Sequence, residues 1–283
     1  ASFARLKVSR DALAGYGIAK RAIGEITFFD IQRYINELVE SGYSISGIKK
    51  QVRIVTSPLK QAAAIRIIKA DPSIGIRLPT ETRVHKKTKN IVAYTQTEQS
   101  KLFDQIKVNA DNAGFLAVGF MIETGLRSGE LLALKWTDIE FDKNKMHVHA
   151  TIVFPMSNKK SIYQDSPKSK SSNRFIPLTQ RAMAILKILK ERRKTEWVFE
   201  QDEHRYSYKQ LMYQTKKLCQ EVKVDYYGEH VFRHTFATNC YYKGVNVKIL
   251  SRLMGHSSVQ VTYNTYIHLY GDGFDEMYAA LCL

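Results

Sequence analysis

The sequence predicts a mainly α fold with a small antiparallel β-sheet, divided into two domains. Three observations carry this. Apolar residues recur at helical spacing through most of the chain, in runs bounded by capping signals and glycine stops. Residues 137–178 change texture and read as strands. The stretch "RLPTETRVHKKTKNIVAY" (77–94) is polar, lacks an apolar period and is rich in Lys and Thr, which marks a linker. The boundaries drawn are 1–78 for an amino-terminal helical domain, 79–93 for the linker and 94–283 for the second domain.

Residues 1–24 are weakly patterned, and Gly15, Gly17 and Gly24 weigh against a long helix. From Thr27, "TFFDIQRYINELVESGYS" puts Ile31, Tyr34, Ile35 and Leu38 on one helical face, with Gly42 as the stop. "SISGIKKQVRIVTSPLKQAAAIRIIKADP" reads as one or two helices, with Pro58 as a kink or a restart. Thr95-Gln-Thr-Glu98 is a capping-box signal for a helix to about Ile106. "NAGFLAVGFMIETG" is an apolar helix ended by Gly125, and "SGELLAL" restarts one with Ser128 as N-cap. "KMHVHATIVF" and "NRFIPL" are strand patterns of a three-stranded sheet, joined by the polar loop "NKKSIYQDSPKSKSS". Helices follow at 179–193, 207–222, 229–243, 246–254 and 257–268, and "FDEMYAALCL" makes a short amphipathic end.

Hydrophobic content of 44% and aromatic content of 11% support packed cores rather than disorder. With 43 Lys and Arg against 27 Asp and Glu, the net charge of +16 implies a polyanionic partner, nucleic acid before membrane surface. Membrane is disfavoured because the apolar stretches fall far short of the roughly 18 to 20 residues a span needs. The surplus is not a tail. Residues 1–80 hold 13 basic and 6 acidic residues and the remainder is basic too, as expected if both domains face one duplex. No signal peptide is visible, but the first residue is Ala, which suggests a truncated chain. Cys219, Cys240 and Cys282 are widely spaced, which fits a reducing cytoplasm and neither a disulfide framework nor a zinc site.

Four clusters could carry chemistry. Arg127 sits between a helix stop and a helix start, where Glu130 can orient its guanidinium toward an oxyanion; a structural Arg–Glu pair is the plainer alternative. His230 and Arg233 lie one helical turn apart, and His234 follows one residue on. A two-histidine metal site wants i, i+4 spacing and a third ligand, which this segment does not offer. His256 follows a helix-ending Gly, with Tyr263 and Tyr266 beyond it, although tyrosines at helical spacing are more often core. Lys168 and Lys170 stand where a basic loop enters a strand, a place where lysines are usually only solvated.

Taken in order, "TGLRSGELLAL", the lysine loop, "HVFRHTFAT" and "LMGHSSVQVTYNTY" resemble the boxes of the tyrosine recombinase, or phage integrase, family. The resemblance runs from about residue 26 to the end, and the wording is similar to integrases of Gram-positive temperate phages and conjugative transposons. It implies a two-domain DNA clamp, a helical core-binding domain plus a catalytic domain, that inserts and excises a mobile element. By resemblance, Arg127 and Arg233 clamp the scissile phosphate, supported by Glu130. His230 handles a proton and His256 donates to the same phosphate. Tyr266 is the nucleophile, leaving a 3′-phosphotyrosyl link, with Tyr263 its rival. Lys170 is the general acid, with Lys168 still open. No metal and no cofactor are implied.

The implied partner is double-stranded DNA at a recombination core site. Lys49, Lys50, Arg53 and Lys60 can share one polar helix face toward it, with plain solvated charge the alternative reading, and Lys86 and Lys87 of the linker and Lys168 of the basic loop can lie along a phosphate backbone. The family pattern also implies a tetramer on DNA with a monomer allowed when free, accessory DNA-bending or excision proteins, and the bacterial cytoplasm, on nucleoid DNA. The family's integrases often carry a further amino-terminal arm-binding domain, and none is evident here. Three other readings compete: an inactive DNA-binding module of the same fold, a type IB topoisomerase-like enzyme, and a metal-dependent histidine nuclease. Every expected position is filled by the expected residue type, which weighs against the first. The small helical amino-terminal domain and the late tyrosine weigh against the second. The histidines lack acidic companions at ligand spacing, which weighs against the third.

Overall fold

The structure, a computed structural model, describes residues 2–80, 93–153, 161–165 and 173–266, and only the backbone of 2–6 and 266. These fall into two compact units, the first holding residues 2–80 and the second the rest.

The first unit is built from α1 (Ser2–Leu13), α2 (Phe28–Glu40) and α3 (Ile45–Ala64). A capping box opens α2. The Thr27 hydroxyl accepts the Asp30 N–H, and the Asp30 carboxylate accepts the Thr27 N–H at 2.9 Å. Ile31, Tyr34, Ile35 and Leu38 are all buried, packed on Ile48, Val52, Val55 and Leu59 of α3. α3 is one helix that runs through Pro58, which lies on its exposed side where water can take the carbonyl that proline leaves unpaired. Lys49, Lys50, Arg53 and Lys60 are exposed on it. α1 is a helix that the weak pattern of residues 1–24 did not announce. Its apolar positions do not share a face, since Val8 is 56% exposed while Leu13 joins the core.

The second unit is organised around one buried helix. α4 (Gln96–Val108) opens with the Thr95–Glu98 capping box, the Thr95 N–H reaching Glu98 Oε2 at 2.8 Å. α5 (Ala113–Thr124) is buried nearly all round, which is why its sequence is apolar without a period. Against it pack α4, α7 (Gln180–Glu191), α8 (Tyr208–Glu221) and α9 (His230–Tyr242). α6 (Ser128–Ala133) follows α5 at once, and its N-cap is Arg127 rather than Ser128. The backbone of Arg127 is still extended, and Glu130, three residues on, accepts its N–H at 2.9 Å, so Ser128 already lies inside the helix.

Strands β1 (Ile139–Glu140), β2 (Lys145–Val148), β3 (Thr151–Val153), β4 (Ile162–Gln164) and β5 (Arg174–Pro177) form two antiparallel sheets, β1-β2-β5 and β3-β4. The register of β2 and β5 sets Val148 opposite Arg174. Two expectations are corrected here. "KMHVHATIVF" is not one strand but two, in different sheets, divided at His149, whose ring lies between Asp138 (3.0 Å) and Asp165 (3.1 Å). Ile162–Gln164, expected as loop, is the strand β4, held by Tyr163 packing edge-on against Trp197. A small hairpin, β6 (Glu200–Gln201) and β7 (His204–Arg205), precedes α8.

The chain then closes with α9, α10 (Val247–Met254) and α11 (Val259–Tyr266), and Phe236, Ala237, Leu250 and Met254 form the small core between α9 and α10. Lys86, Lys87, Lys168, Lys170 and "FDEMYAALCL" lie outside the described residues. Among the described residues no helix is long and apolar enough to cross a membrane.

Candidate active site

The turn after α5 is the starting point. Gly125 adopts φ +65°, and a β-carbon there would sit 2.4 Å from Cδ1 of Phe236, so glycine is required for conformation and for space. Its carbonyl accepts Arg233 Nη1 at 2.6 Å, which ties α5 to α9. Two residues on, Arg127 donates from Nη1 to Glu130 Oε1 (2.8 Å) and from Nη2 to the Gly255 carbonyl (3.3 Å).

Arg233 is 5% exposed, and its Nη2 donates to the Met254 carbonyl. A third arginine, Arg174 at the start of β5, donates from Nε to the Leu253 carbonyl at 2.7 Å. Three consecutive carbonyls at the end of α10 thus each accept from a different arginine. A helix carboxy terminus has unpaired carbonyls and the negative end of the dipole, so it is a natural collector of guanidinium groups. His256 follows immediately after Gly255.

Glu130 lies at the centre of this cluster, 5% exposed. Burial alone would raise its pKa, but Arg174 first and Arg127 second hold it down to about 2, so it stays a carboxylate. One carboxylate against three arginines leaves the cluster positive. The neighbouring histidines register that. His256, half-buried, has its pKa pushed down to about 4 by burial, then by Arg233, Arg127 and Arg174. Its Nδ1 lies 2.7 Å from the Thr262 hydroxyl. His230, the first residue of α9, is lowered by desolvation of its ring, then by Arg233 and Arg127. His234, also half-buried, falls to about 4 for the same kinds of reason.

Arg127, Glu130, His230, Arg233 and His256 are therefore brought together. Lys168 and Lys170 lie outside the described residues, as does the side chain of Tyr266 on α11, whose neighbour Tyr263 is 42% exposed. Beside the cluster, a cavity of about 450 Å³ is lined by Arg174, Lys248, Arg252, His256 and Ser257. Among the described residues, no group of three or more His, Cys, Asp and Glu could hold a metal ion.

Arg174 is the residue that reading the sequence missed. A signal was present: it alternates in phase with buried Ile176 while Phe175 and Pro177 point outward, so the strand period itself sends a guanidinium inward.

The second unit is thus helical with a small sheet and gathers an arginine–histidine cluster at one helix terminus, chemistry suited to an oxyanion. The model of the phage integrase family matches residues 85–272. A XerC-like tyrosine recombinase of Caldanaerobacter subterraneus is 29% identical over 270 residues, 87% of this chain and 68% of the relative. The ICEBs1 integrase of Bacillus subtilis is 26% identical over 279 residues, 91% of this chain and 71% of the relative. Among solved structures, the Tn1549 transposon integrase in complex with transposon right end DNA superposes with a TM-score of 0.82 at 20% identity, covering 99% of this chain and 94% of that one. The chain belongs to the phage integrase family, the tyrosine-type site-specific recombinases.

Proposed function

We propose that the second unit cuts and rejoins duplex DNA through Tyr266, within a phosphate cage made of Arg127, Arg233, His230 and His256. The observation that carries this is the convergence of Arg127, Arg233 and the His256 segment on the end of α10. Tyr266 Oη gives its proton to a neutral histidine, His230, attacks the scissile phosphorus and forms a 3′-phosphotyrosyl bond as the bond to the 5′ oxygen breaks. Lys170, or Lys168 in its place, gives that oxygen its proton. A 5′-hydroxyl of a second DNA end then attacks the phosphotyrosine and reverses the chemistry, so no nucleotide hydrolysis is needed.

The electrostatics suit this. The transition state spreads negative charge over the non-bridging oxygens, and fixed donors aimed there are worth about 3 to 4 kcal/mol each. Histidines kept neutral by their surroundings serve as hydrogen-bond donors or bases without adding to the arginines' mutual repulsion. Nδ1 of His256 lies 2.7 Å from the Thr262 hydroxyl, and the tautomer in which Nδ1 accepts from that hydroxyl leaves Nε2–H free to donate toward the phosphate. Cationic donors then take the charge-neutralising place that metal ions hold in other phosphoryl-transfer enzymes.

The first unit, with Lys49, Lys50, Arg53 and Lys60 exposed on α3, grips the DNA core site from its own side. Lys86, Lys87 and Lys168 add phosphate contacts. Assembly is a tetramer on DNA, helped by accessory bending or excision proteins, in the bacterial cytoplasm, with insertion and excision of a mobile element as the outcome.

The test is a nicked suicide duplex carrying a candidate element end. A covalent protein–DNA adduct is expected, formed in EDTA and lost in Tyr266→Phe. An adduct that survives Tyr266→Phe and vanishes in Tyr263→Phe overturns the nucleophile assignment. Absence of any adduct favours a binding module.

A further inference from the structure

We propose that Arg174 is a positioning residue for Arg127, acting through Glu130 and through the end of α10; this rests on the phosphoryl-transfer reading above. Arg174 is 7% exposed and points inward from β5. Its guanidinium fork occupies both carboxylate oxygens of Glu130, Nη1 to Oε1 at 3.1 Å and Nη2 to Oε2 at 3.0 Å. Its Nε donates to the Leu253 carbonyl at 2.7 Å. A planar fork engaged on both sides fixes the plane of the carboxylate as well as its charge.

Each Glu130 oxygen is shared between the two arginines. Oε1 takes Arg174 Nη1 and Arg127 Nη1, while Oε2 takes Arg174 Nη2 and the Arg127 backbone N–H. Arg127 therefore cannot swing without breaking a bond to a carboxylate whose orientation Arg174 sets. The Leu253 bond places the same helix end whose next two carbonyls accept Arg233 and Arg127, and which leads into His256. One buried side chain thus fixes supports of both clamp arginines and the root of the histidine segment.

The plainer alternative is that Arg174 only balances the charge of Glu130. A lysine would do that and lose the fork, so Arg174→Lys separates the two. Wild type, Arg174→Lys, Arg127→Lys and the double variant are compared on the duplex that traps the wild-type adduct. The measurements are the single-turnover cleavage rate at saturating protein, the apparent Kd for the duplex and the thermal midpoint.

Arg174→Lys is expected to slow cleavage about 10- to 100-fold, as small misplacements of a reacting group do, with Kd changed by no more than about twofold. In the Arg127→Lys background the same change is expected to remove less than about threefold more, since what it positions is already gone. Losses that multiply, cleavage at the wild-type rate, or a loss that tracks Kd or the folded fraction each overturn the proposal. If Arg174→Lys shows no cooperative thermal transition, Arg174→Gln at a temperature where it is folded goes through the same cycle with the same outcomes. A wild-type protein that forms no adduct removes the phosphoryl-transfer reading and this inference together; an adduct with multiplicative losses removes only the inference.

Discussion

Glu130→Gln isolates the only carboxylate seen within the arginine cluster of the described residues. In the wild type, four N–H groups from Arg127 and Arg174 converge on its two oxygens at 2.8 to 3.1 Å. Glutamine keeps one acceptor oxygen and turns an NH₂ toward guanidinium donors, so at least one bond is lost and one donor–donor contact appears. Removing one partner of a buried ion pair costs about 3 to 5 kcal/mol. The pKa supports that scale, since a fall from 4.5 to about 2 corresponds to on the order of 3 kcal/mol in favour of the charged form. For a unit of this size the thermal midpoint should drop by about 6 to 20 °C. The folded-state pKa is depressed, so this stabilisation is complete above pH 4.5 and fades as pH falls toward 2. Urea unfolding of both proteins at pH 7 and at steps below 4.5 measures it. A difference under about 1 kcal/mol at pH 7, or one that does not narrow in acid, would refute the account of Glu130 as the clamp's counter-ion.

Arg233→Ala should cut single-turnover cleavage by about 10²- to 10³-fold while DNA affinity in a gel-shift titration barely changes, because the partner proposed for it is one phosphate among many. It should also lower the unfolding free energy by about 1 to 3 kcal/mol, since the Gly125 and Met254 carbonyls lose their donor. His234 and His256 fall from 6.5 to about 4 on folding, so the unfolded chain takes up more protons between those values. Stability should be complete above pH 6.5 and decline toward pH 4, and calorimetry of His256→Asn should show a shallower decline. Lys49→Ala and Arg53→Ala should each lower the slope of log K against log salt by about 0.9 on duplex DNA, and an unchanged slope would place those side chains off the phosphates.

Legibility in the sequence followed the range of the interaction that decides each feature. α2 and α4 have local causes, a capping box and a periodic apolar face, and could be read directly. α5 is apolar on every side, yet Asn112 and Gly125 bounded it. α1 and β4 have no such local cause, since α1 leans on α3 and β4 is held by an aromatic contact to Trp197, 34 residues from Tyr163 in sequence. Among the candidate site residues, Arg127, His230, Arg233 and His256 were visible as ordered short motifs. Arg174 was not, because its meaning depends on Glu130, 44 residues away, and on the carbonyl of Leu253, 79 residues away. Serine is a good N-cap, so the sequence favours Ser128. The bond that decides the matter is the Arg127 N–H to Glu130, which favours the residue before.

Three guanidinium groups in one place should repel, and the geometry of the cluster shows how they are tolerated together. Glu130 cancels one charge and is shared by two of the arginines. The carbonyls of Leu253, Met254 and Gly255 offset more, since a helix carboxy terminus carries about half a negative charge in partial form. The histidines contribute nothing to the repulsion while they stay neutral, and the arginines themselves help to keep them so. The compensation stops short of neutrality, and the surplus is held in fixed geometry by hydrogen bonds made within the protein. On the proposed reading, a phosphodiester entering this cluster meets a positive field that needs little rearrangement, and the added charge of its transition state meets more of the same. A free-swinging pair of surface arginines could bind the ground state as well, but it would have to be ordered at the moment of reaction. On the positioning role proposed for Arg174, that difference is what the buried pair Arg174–Glu130 supplies.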